Sequence, residues 1–170
     1  CFDYNQQEPR LVVHYASLDQ DASVFNVKNA YNEGDADFHT IVAKMAQIPR
    51  NQAKVINLGL FYGMGKAKLQ AELGVSKEKA EELFSLYHNR VPFVKSLMKS
   101  VSNRAQHRGQ IRTLLGRLCR FHLWEPNSFG MHKALPFEQA VQEHGPGIRR
   151  AYTYKALNKL IQGSAADMTK

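Results

Sequence analysis

RNQAKVINLGLFYG, residues 50–63, sets Arg50, Lys54, Leu58 and Tyr62 at intervals of four and then ends on Gly63. Pro49 suits the first turn of a helix running through Tyr62. Residues four apart on an α-helix rotate by about 40°, so these four share a strip roughly 120° wide. Arg50 falls in the first turn, where free backbone N–H groups and the helix dipole favour an anion. Lys54 adds a second cation about 6 Å further on. A guanidinium fork followed by an ammonium point charge suits phosphates. Leu58 would meet a sugar or base, and Tyr62 offers a flat face for stacking. The resulting gradient fits a nucleoside triphosphate laid along the helix. Spacing alone describes more often an ordinary amphipathic helix with solvated cations and two core residues. Gly65-Lys66 is not a phosphate loop, because Gly59 to Gly65 is one residue too long and Ala67 has no hydroxyl for magnesium.

The whole chain supplies context. Its 170 residues are enough for one domain with a real core, and 44% apolar with 22% charged residues is an ordinary globular balance. The 23 basic against 15 acidic side chains, a net charge of +8, point to a polyanionic partner, most simply nucleic acid. Two cysteines, Cys1 and Cys119, make no disulfide framework and fit a reducing compartment. No signal-peptide pattern and no apolar run of membrane-spanning length occurs, so no membrane partner is expected. The chain starts at Cys1 and ends within a helical pattern, which predicts a piece of a longer protein.

Along the chain, CFDYN reads as the end of a short strand, followed by a helix over Gln7 to Leu18. A second helix is expected to end near Gly34. Asp37 is the expected N-cap of FHTIVAKMAQ, Ser76 that of KEKAEELFSLYHNR, and Pro92 opens a long helix towards Arg108. GQIRTLLGRLCRFHLW breaks the helical period, and its two β-rich runs flank Gly116-Arg117 as a hairpin. Residues 125–147 are rich in proline and glycine and are expected to be mostly loop. A last helix is expected from Ile148 to Lys170, with a bend at Gly163.

Five segments in this order resemble family A DNA polymerases. Residues 50–63 are similar to the fingers helix called motif B, with Arg, Lys, an apolar or aromatic residue and Tyr-Gly at this spacing. DYNQQEPR resembles motif A, DFHT the short segment before motif B, GQIRTLLGR the fingers hairpin, and LNKLIQGSAAD the palm helix with its Gln-Gly pair. The ten residues between His39 and Arg50 resemble compact, phage-type members. The resemblance implies an α+β, predominantly helical piece of a right-hand polymerase: a palm strand, helical fingers with a small β-hairpin, and a returning palm helix. The implied divisions are a palm segment over 1–24, fingers over 25–147 and a palm helix over 148–170, together one incomplete polymerase domain.

The resemblance also implies roles. The partners are primer-template DNA and deoxynucleoside triphosphates, and the cofactor is a pair of Mg²⁺ ions, with Asp3 and the Tyr4 carbonyl as ligands. A second metal carboxylate belongs in a His-Asp-Glu turn beyond the palm helix, so the piece is expected to be inactive alone, with Asp167 structural. His39, Arg50 and Lys54 would cradle the triphosphate, and Lys54 would also protonate the departing pyrophosphate. Glu8 would crowd a ribose 2′-hydroxyl and accept a hydrogen bond from Tyr62, which stacks near the templating base with Leu58 against the sugar. On the DNA side stand Gly63, Gln162 reaching minor-groove acceptors, Asn158 one turn before it, and Arg112 and Arg117 with Lys155 and Lys159 near phosphates. Two positions depart from many relatives: Leu58 stands where they carry Phe or Tyr, and Tyr154 where some have Arg. Nothing in the residues names a processivity factor. The expected setting is the cytoplasm of a bacterial or phage-infected cell. A single-subunit RNA polymerase shares the Arg/Lys and Tyr-Gly helix, but Glu8 stands where it needs a small residue. A non-catalytic basic DNA-binding module is the other rival, and nucleotide titration of Arg50 and Lys54 variants separates it.

Overall fold

A computed structural model describes residues 4, 6–34, 37–61, 64–128 and 130–170. The expected strand tip at CFDYN, with Asp3, lies outside the described residues, as do Tyr62 and Gly63. Tyr4 is described and belongs to no strand.

The first helix, α1 (Gln7–Leu18), turns Leu11, Val12, Val13 and Ala16 into the core. A 3₁₀ turn capped by Asp21 leads into α2 (Phe25–Glu33), which stops at Gly34. Next comes α3 (Phe38–Ala46), whose N-cap is Asp37, its carboxylate accepting from the His39 N–H as the sequence predicts. The decisive stretch forms α4 (Arg50–Phe61), with Ala53, Ile56, Asn57, Leu60 and Phe61 buried. Beyond it lie α5 (Lys66–Leu73), α6 (Lys77–Arg90), capped by Ser76, and α7 (Pro92–Arg108), opened by Pro92.

One contiguous core joins these helices. In it, α1 packs on α7 and α9 (Ala156–Thr169), while α3 packs on α4 and α6. Phe38 ties the two groups, its ring meeting Phe61 of α4 at 6.1 Å and Phe93 of α7 at 6.4 Å. The expected hairpin is present as β1 (Gln110–Arg112) and β2 (Leu118–Arg120), antiparallel, with Ile111 opposite Cys119.

Two expectations are corrected. The region 125–147 is not mostly loop: β3 (Leu123–Pro126) pairs with β4 (Leu135–Pro136), and α8 (Phe137–His144) follows directly. The Phe137 ring packs edge-on against Trp124 at 5.0 Å, and that contact anchors a helix too short to show a clear period. Nor does the last helix begin at Ile148. Residues Ile148–Arg150 form β5, antiparallel to β3, with Glu125 and Arg149 ion-paired at 3.0 Å across the strands. Tyr152 then adopts a left-handed backbone, φ 62°, which no α-helix can run through. A 3₁₀ turn leads into α9, which continues unbroken through Gly163, the residue at which a bend was expected.

Gly163 has a packing role instead. A Cβ there would lie 2.7 Å from Thr113 Cγ2, so the hairpin turn can seat on α9 only over a bare Cα. The contact is fastened on both sides. Thr113 Oγ1 donates to Asp167, Arg117 pairs with Asp167 at 2.8 Å and donates to the Gly163 carbonyl at 2.6 Å. Ser164 Oγ accepts from the Leu114 N–H at 3.0 Å and shares a hydrogen bond with the Tyr15 hydroxyl at 2.7 Å.

Candidate nucleotide-binding site

Of the ladder residues, Arg50 and Lys54 are exposed and Leu58 is half-buried on α4. Pro49 supplies the turn that starts α4 close to the start of α3, and this brings Arg50 against Asp37. Arg50 Nε donates to Asp37 Oδ2 at 2.6 Å. The same carboxylate accepts from the Thr40 hydroxyl at 2.6 Å and the His39 N–H at 3.1 Å. Partial burial works against ionisation, yet the Arg50 and Thr40 hydrogen bonds, the Arg50 charge and the His39 N–H hold the Asp37 pKa at about 2. The sequence marked Asp37 only as a cap.

His39 sits behind the strip, buried at 8% exposure. Burial pushes its imidazole below the ordinary histidine range; the Asp37 charge opposes this, and the Arg50 and Lys54 charges add to it. The three side chains expected to cradle a triphosphate are therefore close enough to feel one another electrostatically. Asn57, fully buried on α4, contacts His39 Nδ1 through Nδ2 at 3.1 Å, and its Oδ1 accepts from the Tyr87 hydroxyl of α6. Neither Asn57 nor Tyr87 was marked by the sequence. A polar residue on the apolar face of an amphipathic helix was the available signal.

The start of α1 is tied to this site. Gln6, in a left-handed conformation at φ 54°, accepts through Oε1 from the Phe38 N–H at 2.7 Å and the Tyr31 hydroxyl at 3.0 Å. Arg10 lies over the Tyr31 ring at 4.6 Å, and burial pushes the Tyr31 phenol well up. Glu8 is half-buried one residue into α1, beside the Gln6 link. Of the expected metal donors, Tyr4 is exposed just ahead of α1 and Asp3 lies outside the described residues. Among the described residues, no three His, Cys, Asp or Glu side chains form a metal cluster.

On the expected DNA side, Gln162 is exposed and Asn158 half-buried, one turn apart on α9. Arg117 reaches the Gly163 carbonyl beside Gln162 and pairs with Asp167. Hydrogen bonding from Thr113, then the Arg117 charge, hold the Asp167 carboxyl below its usual range. Arg112 is exposed and bonds back to the Gly116 carbonyl at 3.1 Å. Lys159 lies over the Phe121 ring at 4.7 Å and Lys155 over Tyr152 at 5.2 Å. Arg150, not marked by the sequence, donates to the Gln106 and Phe121 carbonyls and covers the Trp124 ring at 4.4 Å.

No helix of the described residues is long and apolar enough to cross a membrane. Comparisons with known proteins cover nearly the whole chain. It is 33% identical to a DNA-directed DNA polymerase of Pseudomonas phage M6, over 99% of this chain and 28% of that protein. It is 29% identical to DNA polymerase I of Bacillus caldotenax, over 99% of this chain and 17% of that one. The chain thus spans under a third of these relatives' length. Among solved structures, the POL domain of Pol1 from M. smegmatis, in complex with DNA primer-template and dNTP, superposes with a TM-score of 0.69 at 30% identity. That match covers 98% of this chain and 27% of that one. Residues 1–170 match the family model described as DNA polymerase family A, and the chain belongs to that family.

Proposed function

We propose that this chain provides the fingers, residues 25–147, and flanking palm segments, residues 1–24 and 148–170, of a polymerase that extends a primer under template direction. The observation that carries this reading is that Arg50 and Lys54 stand exposed on α4 while His39, buried behind them, feels both charges. In the reaction, the primer 3′-hydroxyl gives up its proton to solvent and its oxygen bonds to the α-phosphorus of a deoxynucleoside triphosphate. The bond from that phosphorus to the bridging oxygen breaks, and pyrophosphate leaves with the electron pair. Charge develops on phosphate oxygens, so the protein's part is positioning and electrostatic stabilisation. Arg50 grips the phosphates as a fork, Lys54 neutralises them and gives a proton to the pyrophosphate, and His39 donates a hydrogen bond from behind the strip.

Glu8 crowds a ribose 2′-hydroxyl and so selects deoxyribose. Leu58 packs on the sugar, Tyr62 stacks near the templating base, and Gly63 allows the chain to turn away beside the template. Asn158 and Gln162 read the minor groove of the nascent pair, with Arg112 and Arg117 near the backbone. Asp3 and the Tyr4 carbonyl are oxygen donors of the kind hard magnesium takes, and two such ions would stabilise the attacking and leaving oxygens when bound. The relatives come from phages and bacteria, which supports replication of phage or bacterial DNA in a bacterial cytoplasm.

Primer extension by the full-length polymerase tests this. Arg50→Ala and Lys54→Ala are each expected to lower kcat/KM for nucleotide by at least about 10-fold, while primer-template affinity changes by less than about 3-fold. Unchanged nucleotide kinetics in both variants would leave only a DNA-binding module.

A further inference from the structure

Burial at His39 is paired with a second feature that phosphate contact alone does not require. Its Nδ1 faces the interior, and its partner Asn57 is itself fully buried and bonded onward to a fully buried tyrosine. The chain of contacts runs from α6 through α4 to α3 and fixes the direction of every hydrogen bond in it. A buried Tyr87 hydroxyl needs an acceptor for its proton, and Asn57 Oδ1 is the acceptor it has. That orients the Asn57 amide and leaves Nδ2, which only donates, opposite His39 Nδ1 at 3.1 Å. His39 Nδ1 must then accept, so the ring proton sits on Nε2. Rotating the amide by 180° would strand the Tyr87 proton and is disfavoured on that account. The groups with a charge or a proton to exchange around His39 are Asp37 at the cap of its own helix, Arg50 and Lys54 on α4, and Tyr87 on α6 through Asn57.

We propose that Asn57 and Tyr87 are positioning residues that lock His39 as the Nε2–H tautomer, so that the ring presents a hydrogen-bond donor to the triphosphate. This rests on the nucleotide-binding reading above and adds how the donor is set. Neutral histidine is otherwise free to carry its proton on either nitrogen, and an Nδ1–H ring would turn a lone pair towards phosphate oxygens. The lock also explains why a polar side chain occupies the packed face of α4 at residue 57. No other position on that face is polar among Ala53, Ile56, Leu60 and Phe61.

The test is a double-mutant cycle in the full-length polymerase, reading KM and kcat for nucleotide incorporation. Tyr87→Phe keeps the packing and removes the hydroxyl, freeing the Asn57 amide to rotate. It is expected to raise the nucleotide KM by about 3- to 10-fold, the effect of one misdirected hydrogen bond, with kcat changed less than about 2-fold. In a His39→Ala background the same change is expected to have no effect on KM. An equal rise in both backgrounds would mean that Tyr87 only supports the fold and would overturn the proposal, as would no rise where His39→Ala alone weakens nucleotide. If His39→Ala leaves nucleotide affinity intact, the contact assigned to His39 fails by itself, and the lock is judged by spectroscopy. Nitrogen-15 NMR of histidine-labelled enzyme should show an unprotonated Nδ1 at His39, becoming a tautomer mixture in Tyr87→Phe. Asn57→Asp, which places an acceptor opposite Nδ1, should draw the proton there. A protonated Nδ1 in the unaltered enzyme would overturn the lock outright.

Discussion

Asp37 serves α3 as a cap and Arg50 as a counter-ion, and two substitutions separate these contributions. Asp37→Asn keeps an oxygen for the His39 N–H but loses the charge; Asp37→Ala loses both. An N-cap is worth about 1 kcal/mol. A carboxyl held at about 2 rather than the ordinary 3.8 corresponds to at most about 2 kcal/mol at neutral pH. Arg50 is 57% exposed, so solvent screening reduces the charge contribution to about 1 kcal/mol or less. The expected losses are therefore about 1 kcal/mol for Asp37→Asn and about 2 kcal/mol for Asp37→Ala. Hydrogen exchange of the α3 amides in the full-length polymerase reads this local stability without requiring global unfolding. The sign with pH follows from the depressed pKa: the contribution is complete above about pH 4 and lost as pH falls towards 2. That acid-side loss should be absent in Asp37→Asn. Equal costs for the two variants, or an acid loss that persists in Asp37→Asn, would refute the division between cap and charge.

Other outcomes follow from contacts already described. Gly163→Ala gains about 1 kcal/mol of helix propensity but forces its Cβ onto Thr113, so it should destabilise by about 1 kcal/mol net in thermal denaturation, and Thr113→Ser, which removes the clashing methyl and keeps the hydroxyl, should restore it. Gly109→Ala meets both a left-handed backbone, φ 66°, and the Arg150 guanidinium at 2.7 Å, and should cost about 2 kcal/mol or more, with a change in Trp124 fluorescence as Arg150 leaves its ring. His39, with its pKa lowered by burial, contributes stability above its ordinary 6.5 that is lost as pH falls through the lowered value; exchange protection at Asn57 and Tyr87 should fall over that range, and His39→Gln should abolish the dependence.

What the sequence revealed depended on how local the determining physics was. Caps and breakers act within one turn, and Asp37, Ser76 and Pro92 each start the helix assigned to them. Strands of two to four residues carry too few alternations to be recognised, so β4 and β5 were read as loop and helix. What fixes them is pairing with β3 and the Trp124 contacts with Phe137 and Arg150, made across distances in sequence that no window spans. In the site, the exposed face of α4 was legible because its residues are charged at helical spacing. Asn57, Gln6 and Arg150 were not, because each matters through partners distant in sequence, among them His39, Phe38 and the Phe121 carbonyl.

The bare Cα at residue 163 has a practical consequence for anyone exchanging parts between such enzymes. The turn at Thr113 and the helix that carries Gln162 meet at a clearance smaller than a methyl group, so they behave as one machined joint. A hairpin transplanted from another polymerase will seat only if its own residue at 113 tolerates that gap, whatever the rest of its sequence. Conversely, a bulkier residue introduced beside Gln162 would register first as a displaced hairpin, about fifty positions earlier in the chain.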